Sequence, residues 1–249
     1  MNVLSVEDLT HVYPGTECGI FDIRLDVRRG CFVVVAGRNG SGKTTLLKHL
    51  NGLLTPQRGR VVVDGVPVDK DLKRARQRVG FVFQDADSQI VGETVYEDVA
   101  FGPRNLNLPP DTVHARALAA LAAVALSELA DRAPHTLSGG EKRRLAVAGV
   151  LAMQPHILVF DEPFSNLDDP GVRQVLEQVI SLHRSGQTVL VTTHDLEKVL
   201  AHADRLVVMD RGRITLDGAP LSVLPRVADF GIRPPCAFTH RGVLESWLA

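Results

Sequence analysis

Short β-branched runs recur along the chain: "RLDV" at 24–27, "CFVVVAG" at 31–37, "RVVVDG" at 60–65, "VGFVFQ" at 79–84, "HILVFDEP" at 156–163, "TVLVTTHD" at 188–195 and "RLVVMD" at 205–210. Several show no alternation of apolar and polar positions, as expected of strands in a sheet covered on both faces. Helical spacing lies between some of them, which predicts an α/β domain. "RVVVDG" and "GRITLDG", bounded by Gly and Asp, read instead as antiparallel strand–turn pieces.

From Gly102 to about Gln154 the pattern changes. "FGPRNLNLPPD" is rich in proline, and "TVHARALAALAAVALSELADRA" places Leu118, Leu121 and Leu129 at helical spacing with no readable strand. Asp111 is the expected N-cap after Pro110. The predicted organisation is an α/β core with an antiparallel β subdomain over 1–94 and 155–217. A helical block is inserted over 95–154, and a short tail containing "GIRPP" occupies 218–249.

Composition narrows the function class. The chain is 249 residues long, with a formal net charge of −1, so there is no electrostatic case for nucleic acid. Cys18, Cys31 and Cys236 form no CxxC pair, and a reducing, cytosolic compartment is expected. No leader-like segment is read at the start. The longest apolar runs, 117–126 and 145–153, are shorter than the roughly 20 residues that cross a bilayer. These features are compatible with a place on the cytoplasmic face of a membrane that a partner crosses, which only the family resemblance carried by the motifs implies.

"GRNGSGKTT" fits G-x-x-x-x-G-K-[ST] directly after an apolar strand and before the helical "LLKHLNGL", which is the context that defines a P-loop. Backbone N–H groups across Gly37, Arg38, Asn39, Gly40, Ser41, Gly42, Lys43, Thr44 and Thr45 can turn inward around phosphates, aided by the helix N-terminus. Lys43 then reaches the β- and γ-phosphates of ATP, and the Thr44 hydroxyl meets Mg²⁺. "HILVFDEP" delivers two adjacent carboxylates from a strand end. Asp161 suits Mg²⁺ coordination opposite Thr44, and Glu162 suits polarising the attacking water. In "TLSGGEKRR", Ser138, Gly139 and Gly140 open a second helix whose free N–H groups suit an anion. An ordinary N-cap, a second anion and a nucleotide held by another molecule all remain open on spacing alone.

The P-loop, "LSGGE", "ILVFDEP", "SNLDD" and "VTTHD", in this order, resemble an ABC-type ATPase over nearly the whole chain. That resemblance implies a head-to-tail dimer in which Ser138, Gly139 and Gly140 of one subunit complete the ATP site of the other. It also implies that His194 contacts the γ-phosphate and Tyr13 stacks on adenine. Gln84 would sense Mg²⁺ and the water, and Asp168 would lie in the loop joining the two sites. Glu141 stands where glutamine is commoner, and Phe164 and Asn166 where smaller residues are usual.

"FQDADSQIVGETVYEDVAFGPRNL", "AGVLAMQPHILVFDEP" and "GIRPP" are similar to the ATPase components of energy-coupling factor (ECF) transporters, although Asp85 and Ala86 replace the usual Asn-Pro. The likeness implies a second ATPase subunit, a transmembrane scaffold and a substrate-capture membrane protein, with a trace metal (cobalt or nickel) or a vitamin such as biotin as cargo. Asp85 and Asp87 are the expected contacts for a cationic partner element, while Glu97 and Asp98 are expected to be a solvated helix start. The alternative is a soluble ABC ATPase of cytosolic assembly, for example of iron–sulfur clusters. A DNA-repair ATPase lacks room for its coiled coil, and no N-K-x-D motif points to GTP.

Overall fold

Phe32, Val34 and Ala36 turn to one side of their strand and Val33 and Val35 to the other, and each side meets a separate buried cluster. The same division runs through Leu158 and Phe160 against Ile157 and Val159. Period-2 side chains with both faces buried require a layer on each side of the sheet.

The computed structural model describes residues 1–248. Its strands are β1 (Asn2–Val12), β2 (Gly19–Arg28), β3 (Phe32–Ala36), β4 (Arg58–Val63), β5 (Val66–Pro67), β6 (Val79–Val82), β7 (Ile157–Asp161), β8 (Thr188–Thr193), β9 (Arg205–Asp210) and β10 (Arg213–Gly218). Its helices are α1 (Lys43–Leu50), α2 (Leu72–Arg78), α3 (Val95–Asn105), α4 (Pro110–Ala123), α5 (Gly139–Leu151), α6 (Asp169–Arg184), α7 (Pro220–Val223) and α8 (Cys236–Arg241). One sheet has the order β10-β9-β3-β8-β7-β6, parallel except for its β10 edge. The other, β2-β1-β4-β5, is antiparallel. It covers one face of the parallel sheet with α1, whose Leu46, Leu47 and Leu50 lie in the shared core.

Because β3, β7 and β8 run parallel, their C-terminal ends share one edge. Ala36 pairs with Thr193 and Asp161 with Thr192, so the P-loop, the acidic pair and His194 leave the sheet side by side. Ligands of open α/β sheets bind at this edge. The helices α3, α4 and α5 pack on one another between β6 and β7. The chain after β10 returns to the core, burying Val223, Leu224, Val227 and Ile232.

Two helix starts differ from expectation. The cap of α4 is Pro109, with Pro110 at the first helical position, so Asp111 sits inside the first turn. A fixed φ and a missing N–H suit proline there and leave no role for an acidic cap. At α3, Glu97 closes a capping box with Thr94. Asp98 is buried rather than solvated, and its carboxylate accepts from Val91 N at 2.7 Å and Gly92 N at 3.0 Å. Those two amides would otherwise lack partners in the loop that leads from β6 to α3.

Candidate active site

The turn from β3 into α1 needs a left-handed backbone at Gly40 (φ 79°) and Gly42 (φ 102°), a region that side chains with a Cβ rarely adopt. At Gly37 a Cβ would also collide with the Ser41 side chain and the Met209 carbonyl. The loop lines a cavity of about 400 Å³ together with Tyr13, Gln84, Glu162 and His194. That volume suits a small-molecule ligand. Ser41 is buried and its Oγ has no hydrogen-bond partner among the described residues.

Lys43, itself buried, donates from Nζ to Gly37 O at 2.7 Å and Arg38 O at 3.3 Å, and stands 3.3 Å from Glu162 Oε1. Glu162 Oε2 lies 3.0 Å from His194 Nδ1. The carboxylate is therefore flanked by an ammonium and an imidazole while remaining only 7% exposed. The backbone of Glu162 is left-handed (φ 47°), a strain of order 1–3 kcal/mol that clusters at functional sites. One residue earlier, Asp161 Oδ2 accepts from the Thr44 hydroxyl at 2.8 Å. Tyr13 OH meets Thr45 Oγ1 at 3.1 Å, placing the phenol ring against the start of α1.

Thr192 carries no signal of function in the sequence, yet it braces both acids. Its Oγ1 donates to Asp161 Oδ1 at 2.6 Å and accepts from Glu162 N at 3.0 Å. Cys18 and Gly19, from the turn into β2, also line the cavity without any sequence motif to mark them.

Ser138 caps α5 in a full capping box: its Oγ accepts from Glu141 N at 3.3 Å and its N–H donates to Glu141 Oε2 at 2.7 Å. These bonds hold the Glu141 carboxyl below its ordinary value. Ser138, Gly139 and Gly140 do not line the P-loop cavity. Gly139 instead faces an adjoining cleft with Lys142, Arg143 and the turn at Ser165–Leu167, and Gln84 borders both cavities. Asp168 caps α6 through Gly171 N at 3.0 Å. Arg38 and His194 line a third cleft closed by Gly231–Arg233.

The acidic segment after Gln84 is tied to α5. Asp87 pairs with Lys142 at 2.6 Å, and Arg143 donates to Phe83 O at 2.6 Å from a buried position. Asp85 Oδ1 accepts from Asp87 N at 3.1 Å, closing a local turn. Asp87 thus has an ion-pair partner within the chain while its side chain stays 68% exposed, a pairing that the alternation of acids and apolar residues did not reveal.

The family described as ABC transporter matches residues 20–165. The cobalt import ATP-binding protein CbiO of Rhodobacter capsulatus is 45% identical, the match covering 94% of this chain and 85% of that protein. The energy-coupling factor transporter ATP-binding protein EcfA of Methanosarcina acetivorans is 44% identical, covering 94% and 86%. Among solved structures, cbiO1 of Clostridium perfringens, described as part of the ABC transporter complex cbiONQ, superposes with a TM-score of 0.83 at 34% identity. That superposition covers 97% of this chain and 96% of cbiO1.

Proposed function

This chain belongs to the ABC transporter family and is an ATPase, and on that premise we propose that it is the motor subunit of an ECF-type importer. The supporting observation is the meeting, in one cavity, of Thr44, which is hydrogen-bonded to Asp161, with the Glu162–His194–Lys43 cluster.

ATP lies with its phosphates in the P-loop and its adenine against Tyr13. Lys43 leaves the Gly37 and Arg38 carbonyls for the β- and γ-phosphates. Glu162 takes a proton from the water that attacks the γ-phosphorus, and the bond to the β–γ bridging oxygen breaks. His194 holds Glu162 on one side and reaches the γ-phosphate on the other. Thr44 and Asp161 suit Mg²⁺: their oxygens are 2.8 Å apart, against about 2.9 Å for neighbouring ligands of an octahedral ion with 2.0–2.1 Å bonds. When bound, Mg²⁺ neutralises charge on the β- and γ-phosphates. Gln84 completes this side of the site.

A second ATPase subunit supplies Ser138, Gly139 and Gly140. The first N–H groups of α5 lack intrahelical partners and so can meet a γ-phosphate, and they lie outside the cavity of their own chain. The motor sits on the cytoplasmic face, bound to a transmembrane scaffold beside a substrate-capture membrane protein. The cleft between Gln84 and α5 is where nucleotide state passes to that scaffold, with Asp85 offering its charge. No helix among the described residues is long and apolar enough to cross a membrane itself. The CbiO relative, named for cobalt import, favours a trace metal over a vitamin as cargo, and an importer over a soluble assembly ATPase.

The test is affinity purification of the tagged chain from detergent-solubilised membranes of its own cells, with cobalt uptake followed in parallel. Recovery of an integral membrane protein, and metal uptake that depends on the chain, is the expected result. Recovery only from the soluble fraction, with uptake unchanged on deletion, contradicts the proposal.

A further inference from the structure

Beside the nucleotide cavity lies a separate cleft of about 360 Å³, lined by residues 37–39, His194 and residues 231–233. Two of these are arginines, Arg38 from the P-loop and Arg233 from the tail, and none carries a carboxylate. The tail is anchored at this point. Ile232 is buried in the core, and the N–H groups of Gly231 and Ile232 are bonded to Ala228 O and Val227 O. Gly231 is left-handed (φ 67°), and a Cβ on it would stand 3.0 Å from Arg38 Cδ. The Arg38 stem therefore lies against bare backbone, at a φ and a spacing that favour glycine.

Neither guanidinium forms an ion pair among the described residues. The side chain of Arg233 donates to Cys236 Sγ at 3.4 Å, a weak acceptor. Asp195 and Glu197, which follow His194, are engaged with Lys198 and with the Cys236 amide, and Asp229 does not line the cleft. Like charges that share a cleft without a counter-ion repel each other, and a bound anion offsets that repulsion.

We propose that this cleft is a second anion site, which takes inorganic phosphate, the product of the chain's own reaction, as it leaves the γ-position. Guanidinium forks match phosphate oxygens in pairs. The volume leaves room for the ion to keep part of its water. Asn39 and His194 line both this cleft and the nucleotide cavity, so the two spaces adjoin. A phosphate cut from ATP beside His194 thus has a cationic cleft next to it. Only the exit role rests on the proposed place of His194 at the γ-phosphate; anion binding at Arg38 and Arg233 does not.

The experiment titrates the full chain, saturated with Mg²⁺ and ADP so that the P-loop is filled, with inorganic phosphate and with acetate at constant ionic strength. Calorimetry is expected to show saturable phosphate binding, with acetate about tenfold or more weaker. Arg233→Met is expected to weaken phosphate about tenfold or more while ADP affinity stays within about twofold. Arg233→Lys keeps the charge and loses the fork, and its affinity should fall between the two. No saturable phosphate binding by the unaltered chain overturns the proposal. So does undiminished phosphate binding by Arg233→Met, which would leave the anion in the nucleotide cavity alone. Acetate binding as tightly as phosphate also overturns it, and points to a carboxylate of a second copy as the occupant. For the exit role, phosphate release is timed after a single turnover of ATP. Arg233→Met is expected to cleave at an unchanged rate and to release phosphate faster, by about the factor lost in affinity. Identical release from both chains overturns the exit role alone.

Discussion

Glu162 has an ammonium 3.3 Å from one oxygen, an imidazole 3.0 Å from the other, and an amide held by Thr192. Its carboxylate can accept a proton without turning away from the phosphate end of the cavity. Glu162→Gln keeps the shape and the His194 contact but removes the basic oxygen. ATP binding is expected to persist and hydrolysis to fall by about 10²–10⁴, the usual contribution of a positioned base. A loss smaller than about tenfold in single-turnover assays would remove Glu162 from that role. At this scale the acids, Lys43 and Thr44 were legible because each follows a strand or opens a helix at a spacing that phosphate chemistry demands. Thr192 was not. A β-branched residue in a strand is expected for packing alone, and the partner of its hydroxyl lies 31 positions away.

The start of α5 combines a cap and a candidate phosphate contact in the same residues. Glu141 is held below its ordinary value of 4.5, chiefly by the Ser138 amide. A carboxylate lowered on folding adds stability that is complete above the ordinary value and is lost as pH falls through the lowered one. Acidification is therefore expected to fray the first turn of α5, read as a loss of amide-exchange protection, relative to the intrinsic rate at each pH, at Gly139–Lys142 in that window. Glu141→Gln retains an oxygen for the Ser138 N–H but no titrating group, so its exchange profile should be flat there. A wild-type profile equally flat would show that the carboxylate is not what holds this turn. The neighbouring acidic segment was the least legible element. Asp87 and Asp98 look alike in sequence, yet one spans 55 positions to Lys142 and the other folds back on Val91 and Gly92.

Across the whole molecule, the strands buried on both faces announced a covered parallel sheet, because a strand with no polar face leaves few alternatives. The return of the tail was not announced. Residues such as Val227 and Ile232 stand among prolines and charges with no strong period, and their burial against the parallel sheet is a long-range outcome. The parallel edge gathers every group proposed for hydrolysis except the α5 N-terminus, which opens onto a different cleft. In the head-to-tail pair proposed above, the second copy would bring the missing part to each site. A trans-acting group in related phosphoryl transfer contributes about 10³–10⁵ in rate, enough to leave a lone chain nearly inactive. The most direct measurement is steady-state ATPase activity of the purified chain across a wide dilution series at saturating ATP. Activity per chain should rise in proportion to protein concentration when dilute and level off as copies pair. Activity per chain that is high and constant down to concentrations where sedimentation finds only single chains would contradict a shared site.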